Sequence, residues 1–245
     1  MYRDSIKLYV RLIKYVLIFV GIELANQILA ERAPGNILGN VVSFFNMSAL
    51  CFIAHQAILL PDRHELAYTY RRLILGFAGG ILAMFSIGLV PAIVLAVILI
   101  SQLPSLLDEE MTVGLTLGLT FLGALFVALV ILPLFGTSLS AHVMQDEKRG
   151  VGVAFSRGRK TLGFAASRML AGPVLLYAIG AAITLAKLDM LLDNVLSESW
   201  RPDVAQILFL CGLQLVQALV IIMGSWVLCH AYLRAQPEHT SAVFE

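Results

Sequence analysis

Charge is what this sequence has least of. Asp, Glu, Lys and Arg make up only 13% of its 245 residues while 59% are hydrophobic. An ordinary soluble domain is roughly a quarter charged and about 45–50% apolar. That scarcity argues against a soluble globular chain and points to the membrane. The 17 basic and 16 acidic residues leave a formal net charge of +1, and the basic ones are scattered in short segments beside apolar runs. Such a distribution argues against nucleic-acid binding, which needs a continuous basic surface. Cysteine is equally sparse. The three, Cys51, Cys211 and Cys229, all fall inside apolar runs, and an odd, buried set makes no disulfide framework.

Catalytic signatures are lacking too. There is no His-Glu-x2-His, no Gly-x-Ser-x-Gly and no Walker-type glycine loop. In "DEEMTVG" the pair Glu109-Glu110 is followed by Gly114 where a Glu-Glu-x3-Arg intramembrane protease needs arginine. Ser225 and His230 lie five apart on one helix and point in different directions. The expectation is a protein that is not an enzyme. The first 30 residues begin like a signal peptide, with Arg3, Lys7, Arg11 and Lys14, but no small-x-small cleavage site closes the apolar stretch. They are expected to stay as an uncleaved first span.

What the sequence does have is long apolar runs. A hydrocarbon core of about 30 Å needs roughly 20 apolar residues per helix. Six stretches meet that need: 12–29, 37–60, 73–101, 113–141, 162–185 and 204–232. The predicted fold is therefore all-α and integral to the membrane, one polytopic domain over 1–245 with six transmembrane helices. Fourteen of the 17 basic residues flank alternate connections, and only Arg32, Lys187 and Arg201 fall on the other side. The positive-inside rule then places both termini in the cytoplasm, and the expected location is a bacterial cytoplasmic (inner) membrane.

Pro91, Pro133 and Pro173 lie within the third, fourth and fifth spans, where each removes a backbone hydrogen bond and bends its helix. Gly76-x3-Gly80 and Gly114-x3-Gly118 form small-residue ridges suited to close packing in lipid. The connections "PDRHELAYTYRR" and "DEKRGVGVAFSRGRK" are too polar for hydrocarbon, yet space their apolar residues for short helices lying at the interface. The segment from Tyr2 to Tyr15 suits a helix emerging from that interface. Basic residues at Arg71, Arg72, Lys148, Arg149, Arg157, Arg159 and Lys160 are expected to contact anionic lipid headgroups or a protein partner, including a second copy of the chain.

Residues 54–78 and 141–165 agree at eight of 25 positions, including His55 with His142 and the block Leu75-Gly76-Phe77-Ala78 with Leu162-Gly163-Phe164-Ala165. His230 stands 88 residues after His142 and ends the sixth run as the others end the second and fourth. These matches predict three helix pairs of the same orientation, related as parallel repeats about the membrane normal.

Two groups of residues could carry chemistry. Glu23, Asn26 and Gln27 share one face of the first span, and Gln206, Gln214 and Gln217 make a polar strip on the sixth, with Lys187 placed to supply a countercharge. A carboxylate inside lipid needs a partner or hydration, so this cluster is either a polar path or structural glue between helices. Met47, Cys51 and His55 line one helix face, and His142, Cys229 and His230 end others. If those ends converged, haem or a transition metal could bind, although such a spacing is far less specific than paired Cys-x2-Cys motifs. No cofactor is predicted.

The run "AFSRGRKTLGFAASRMLAGPVLLYAI", Ala154 to Ile179, resembles the membrane domain attached to some bacterial glycerophosphodiester phosphodiesterases and related multi-span proteins. That resemblance covers about 25 residues and implies a helical membrane fold and no active-site residue, because the catalytic domain of that family is soluble. The expected function is a non-enzymatic scaffold, assembly or accessory subunit acting through helix packing and basic cytoplasmic loops. The alternatives are a small transporter or channel with a path past Glu23, and a haem or metal protein using the helix-end histidines.

Overall fold

The computed structural model describes residues 2–32, 37–61, 71–102, 119, 122–148, 150–186 and 203–236. Every element among them is helical. In chain order these are α1 (Tyr2–Arg11), α2 (Ile13–Arg32), α3 (Ile37–Leu59), α4 (Arg71–Gln102), a π-helical turn (Val127–Ile131), α5 (Leu132–Phe135) and α6 (Thr137–Val143). There follow α7 (Val151–Met169), a second π turn (Leu170–Val174), α8 (Leu175–Ala186) and α9 (Val204–Ala235).

Among the described residues three helices are long and apolar enough to cross a bilayer: Ile37–Leu59, Val151–Thr184 and Val204–Ala235. A fourth is added if the bent pair Leu122–Phe135 and Thr137–Val143 is one span. The protein is thus a helical membrane protein. Exposure follows the same logic, since the side chains α4 turns outward, among them Leu82, Ile87, Val90, Ile93, Val97 and Ile98, are apolar. Only lipid is a good solvent for such a surface.

The chain divides into two compact units, Met1–Ile74 with Leu170–Val227 and Leu75–Met169 with Leu228–Glu245. In the first, Leu8, Leu12, Val16 and Phe19 recur at helical spacing along α1 and α2 and bury one face against Leu50 and Ala54 of α3 and Ala218 and Ile222 of α9. Such packing inside lipid draws on van der Waals contact rather than on expulsion of water, and small residues such as the buried Ala54 and Ala218 suit it. Two tyrosines of α1 reach across to carbonyls: the Tyr2 hydroxyl donates to Ala171 and the Tyr9 hydroxyl to Leu215, the latter at 3.3 Å. Asp203 caps α9, accepting from the amides of Ala205 and Gln206 at 2.8 and 3.1 Å.

Two prolines are accommodated by π turns, Pro133 in the second unit and Pro173 in the first. An α-helical turn would drive the Pro133 ring into the carbonyl four residues earlier. The wider turn at Val127–Ile131, closed by the Leu132 amide on the Val127 carbonyl, makes room for it. Three residues beyond Pro133, at Gly136, the axis bends by 52°. Pro173 lies inside the other π turn, whereas α4 remains α-helical through Pro91. The glycine ridge of α4 receives side chains: a Cβ on Gly76 would lie 2.8 Å from the His142 ring and one on Gly80 would lie 3.1 Å from Leu139. The closest backbone approach is at Gly158, where a Cβ would meet the Leu134 carbonyl oxygen at 2.0 Å. Gly114 and Gly118 lie outside the described residues, as does the "PDRHELAYTYRR" connection except its last two residues and Pro61. The basic stretch from Val151, expected as a short separate helix, instead continues through the π turn and α8, so that one helix runs from Val151 to Thr184.

Candidate functional site

Two polar clusters stand out, one in each unit. The first joins α2 to α3. Glu23 projects from α2 toward Ser43 and Asn46, one turn apart on α3. The Ser43 hydroxyl donates to Glu23 Oε2 at 2.6 Å and Asn46 Nδ2 donates to Oε1 at 2.7 Å. Asn46 also donates to the Phe19 carbonyl at 3.1 Å. Asn26 completes the chain, its Nδ2 donating to Ser43 Oγ at 2.7 Å and to the Gly39 carbonyl at 2.8 Å. Gly39 leaves the room for this, since a Cβ there would stand 2.9 Å from the Asn26 side-chain oxygen. Both carboxylate oxygens are thereby occupied by neutral donors from the helix facing them. The cluster is a tie between two helices, and every group in it is half-buried.

Of the seven residues expected in this cluster, the structure brings Glu23 and Asn26 together. Gln27 is half-buried on the same helix outside the network. Gln206 is buried near the start of α9, where its amide is capped by Asp203. Gln214 is half-buried, with its Oε1 lacking a hydrogen-bond partner among the described residues, and Gln217 is exposed. Lys187 lies outside the described residues. Ser43 and Asn46 were missed, although the spacing Gly39, Ser43, Asn46 follows one helix face and could have flagged them.

The second cluster forms around Asp146 just beyond α6. That helix ends with Gln145 at φ 55°, and the Asp146 amide reaches back to the Ala141 carbonyl at 2.9 Å. This is the six-to-one bond of a Schellman ending, with glutamine in the left-handed position that usually takes glycine. The turn delivers the Asp146 carboxylate to Arg157 of α7, whose Nη2 lies 2.6 Å from Oδ2. The Tyr232 hydroxyl donates to the same oxygen at 3.1 Å, the Lys148 amide donates to Oδ1 at 2.9 Å, and the Arg157 guanidinium lies 5.2 Å from the Tyr232 ring centre. Burial by itself would raise the carboxyl pKa, but the Lys148 amide, the Arg157 cation and the Tyr232 hydroxyl outweigh it and hold Asp146 below the ordinary carboxylate value.

Among the residues expected at lipid or at a partner, Arg157 is drawn into this ion pair, while Lys148, Arg159 and Lys160 are exposed. Arg71 and Arg72 open α4, and Arg149 lies outside the described residues. The helix-end histidines do different things. His55 is buried and its Nδ1 bonds the Cys51 carbonyl of its own helix at 2.9 Å. His142 is half-buried against Gly76, and His230 is half-buried near the end of α9. Cys51 Sγ lies 3.4 Å from Ser225 Oγ, and Cys229 is buried 3.8 Å from Ser140. No three His, Cys, Asp or Glu side chains gather as a metal set among the described residues. The chain matches no family model, no curated protein and no solved structure.

Proposed function

We propose that this protein is a non-catalytic accessory or assembly subunit of a bacterial inner membrane, crossing it six times with both termini in the cytoplasm. One observation carries this function: the Glu23 carboxylate is spent on structure. Glu23 is closed off by Ser43 and Asn46 at 2.6 and 2.7 Å. A carboxylate that carries protons or solutes must be free to exchange partners, whereas one held by donors on both oxygens fastens two helices together. A surface open to a partner is the exposed basic face of α7, Arg159 and Lys160, which in this orientation faces the cytoplasm.

The test is isolation from native membranes in mild detergent, comparing the parent with R159E/K160E and with E23Q. An accessory subunit yields a partner at fixed stoichiometry that R159E/K160E loses and E23Q keeps. The protein alone in vesicles, driving a solute or proton flux that E23Q abolishes, would overturn the assignment in favour of transport.

A further inference from the structure

The first turns of the chain carry three distinct rows of side chains. Successive residues of a helix advance by about 100°, and at Leu12, the turn residue between α1 and α2, helical hydrogen bonding is kept, its amide bonding Leu8 and its carbonyl accepting from Val16. One row, Ser5, Leu8, Leu12 and Val16, is buried against the first unit. A second, Ile6, Val10, Ile13 and Leu17, lies roughly 115° away and is open, with exposures of 54%, 62%, 42% and 58%. The third, Arg3, Lys7, Arg11 and Lys14, lies about 100° beyond the second and is also exposed. The tyrosine bonds to Ala171 and Leu215 pin the buried row in place, so the helix cannot roll its apolar row under cover.

We propose that α1 and the first turn of α2 seat on the headgroup layer of an anionic phospholipid leaflet. The open apolar row enters the upper acyl chains while the neighbouring basic row meets lipid phosphates. Apolar and cationic rows side by side along one helix are the complement of that surface, which presents hydrocarbon beneath negative charge. Position agrees. α1 is ten residues long, about 15 Å, and it runs into α2, which packs on the membrane-spanning α3. It therefore extends no further from the hydrocarbon than the interfacial layer and the water just above it. An acidic soluble protein would satisfy the basic row and leave the apolar row in water. A second copy of the chain would bring like charges together.

The whole protein is reconstituted in nanodiscs of phosphatidylcholine with and without phosphatidylglycerol, with a fluorophore on I6C or, as a control on the buried row, L8C, and with brominated lipids as quenchers. The label at position 6 is quenched, more strongly with phosphatidylglycerol, and R3Q/K7Q/K14Q removes that dependence. Native mass spectrometry of unlabelled protein checks it independently: the triple variant retains phosphatidylglycerol at least about tenfold less well. An unquenched label, quenching indifferent to lipid charge, or cross-linking of two copies through V10C overturns the proposal. It stands apart from the accessory-subunit function, because R159E/K160E leaves α1 untouched.

Discussion

The carboxylate of Asp146 and the guanidinium of Arg157, eleven residues apart, meet at 2.6 Å with side-chain exposures of 20% and 11%. The pair links the turn after α6 to α7, and Tyr232 adds the end of α9. Removing the charge from one member leaves the other desolvated and poorly compensated. D146N is expected to cost about 1.5–3 kcal/mol, read as a fall in the melting temperature of the purified protein in mild detergent. R157Q should do the same, and the double variant should lose less than the two single losses together.

The same pair gives a pH dependence of known sign. Asp146 is held below the ordinary carboxylate range, so the folded protein binds its proton less readily than the unfolded chain. The stabilisation is fully present above the unfolded value of about 3.9 and disappears as pH falls through the lower folded value. The gap in melting temperature between the parent and D146N should be constant from neutral pH to about 5 and should close in stronger acid. A gap that instead widened on acidification would contradict this sign.

Helices were the legible part of this molecule, for a physical reason. Long apolar runs and their polar borders are local properties, and in the described residues each of the six runs is helical, with α3 (Ile37–Leu59) and α9 (Val204–Ala235) starting where hydropathy placed them. One start was harder. The helix from Val151 begins eleven residues before its apolar run because Arg157, Arg159 and Lys160 break the hydropathy without breaking helical geometry. The site was half legible: Glu23 is conspicuous in any apolar run, but its partners Ser43 and Asn46 are unremarkable until a neighbouring helix faces them. Asp146 was hidden altogether, because its role depends on a left-handed glutamine and on residues 11 and 86 positions away.

The tie between α2 and α3 predicts a measurable coupling. N46L removes the donor to Glu23 Oε1 and to the Phe19 carbonyl together. Polar contacts between helices in lipid contribute about 0.6 kcal/mol on average and up to roughly 1.7, and a carboxylate acceptor belongs at the upper end. E23L should lose a similar amount. The pair E23L/N46L should cost less than the sum, because the bond between Asn46 and Glu23 is lost in both single variants and counts only once in the pair. Additive losses by thermal denaturation in detergent would show that the two side chains do not interact.

Two glycines of α7 make an opposed pair. A Cβ at Gly158 would fall 2.0 Å from the Leu134 carbonyl oxygen, whereas one at Gly163 meets nothing within 4 Å. G158A must push α7 away from the rod ending in α5, with a loss of about 1–3 kcal/mol or more. G163A adds only helix propensity and should gain up to about 1 kcal/mol. Opposite shifts in melting temperature from the same chemical change are the expected result; equal shifts would mean that the approach at Gly158 is looser than described.

Gln145 offers a change that should stabilise. Its φ of 55° lies in the left-handed region, where a side chain crowds its own backbone. The conformation is held because the Asp146 amide bonds Ala141 and the Gln145 amide bonds His142 at 3.2 Å, and these bonds aim the carboxylate at Arg157. Glycine relieves the crowding at the cost of a more flexible unfolded chain, and at a helix ending the first effect normally wins. Q145G should therefore raise stability by up to about 1 kcal/mol without altering the pH response that Asp146 sets. Q145V, with a branched Cβ that tolerates this backbone least, should lower stability and weaken the response together, since distorting the turn moves Asp146 off Arg157. Melting curves of the two variants at neutral and acid pH test both halves of this expectation, and a stabilised Q145V would show that the left-handed turn is not what positions the carboxylate.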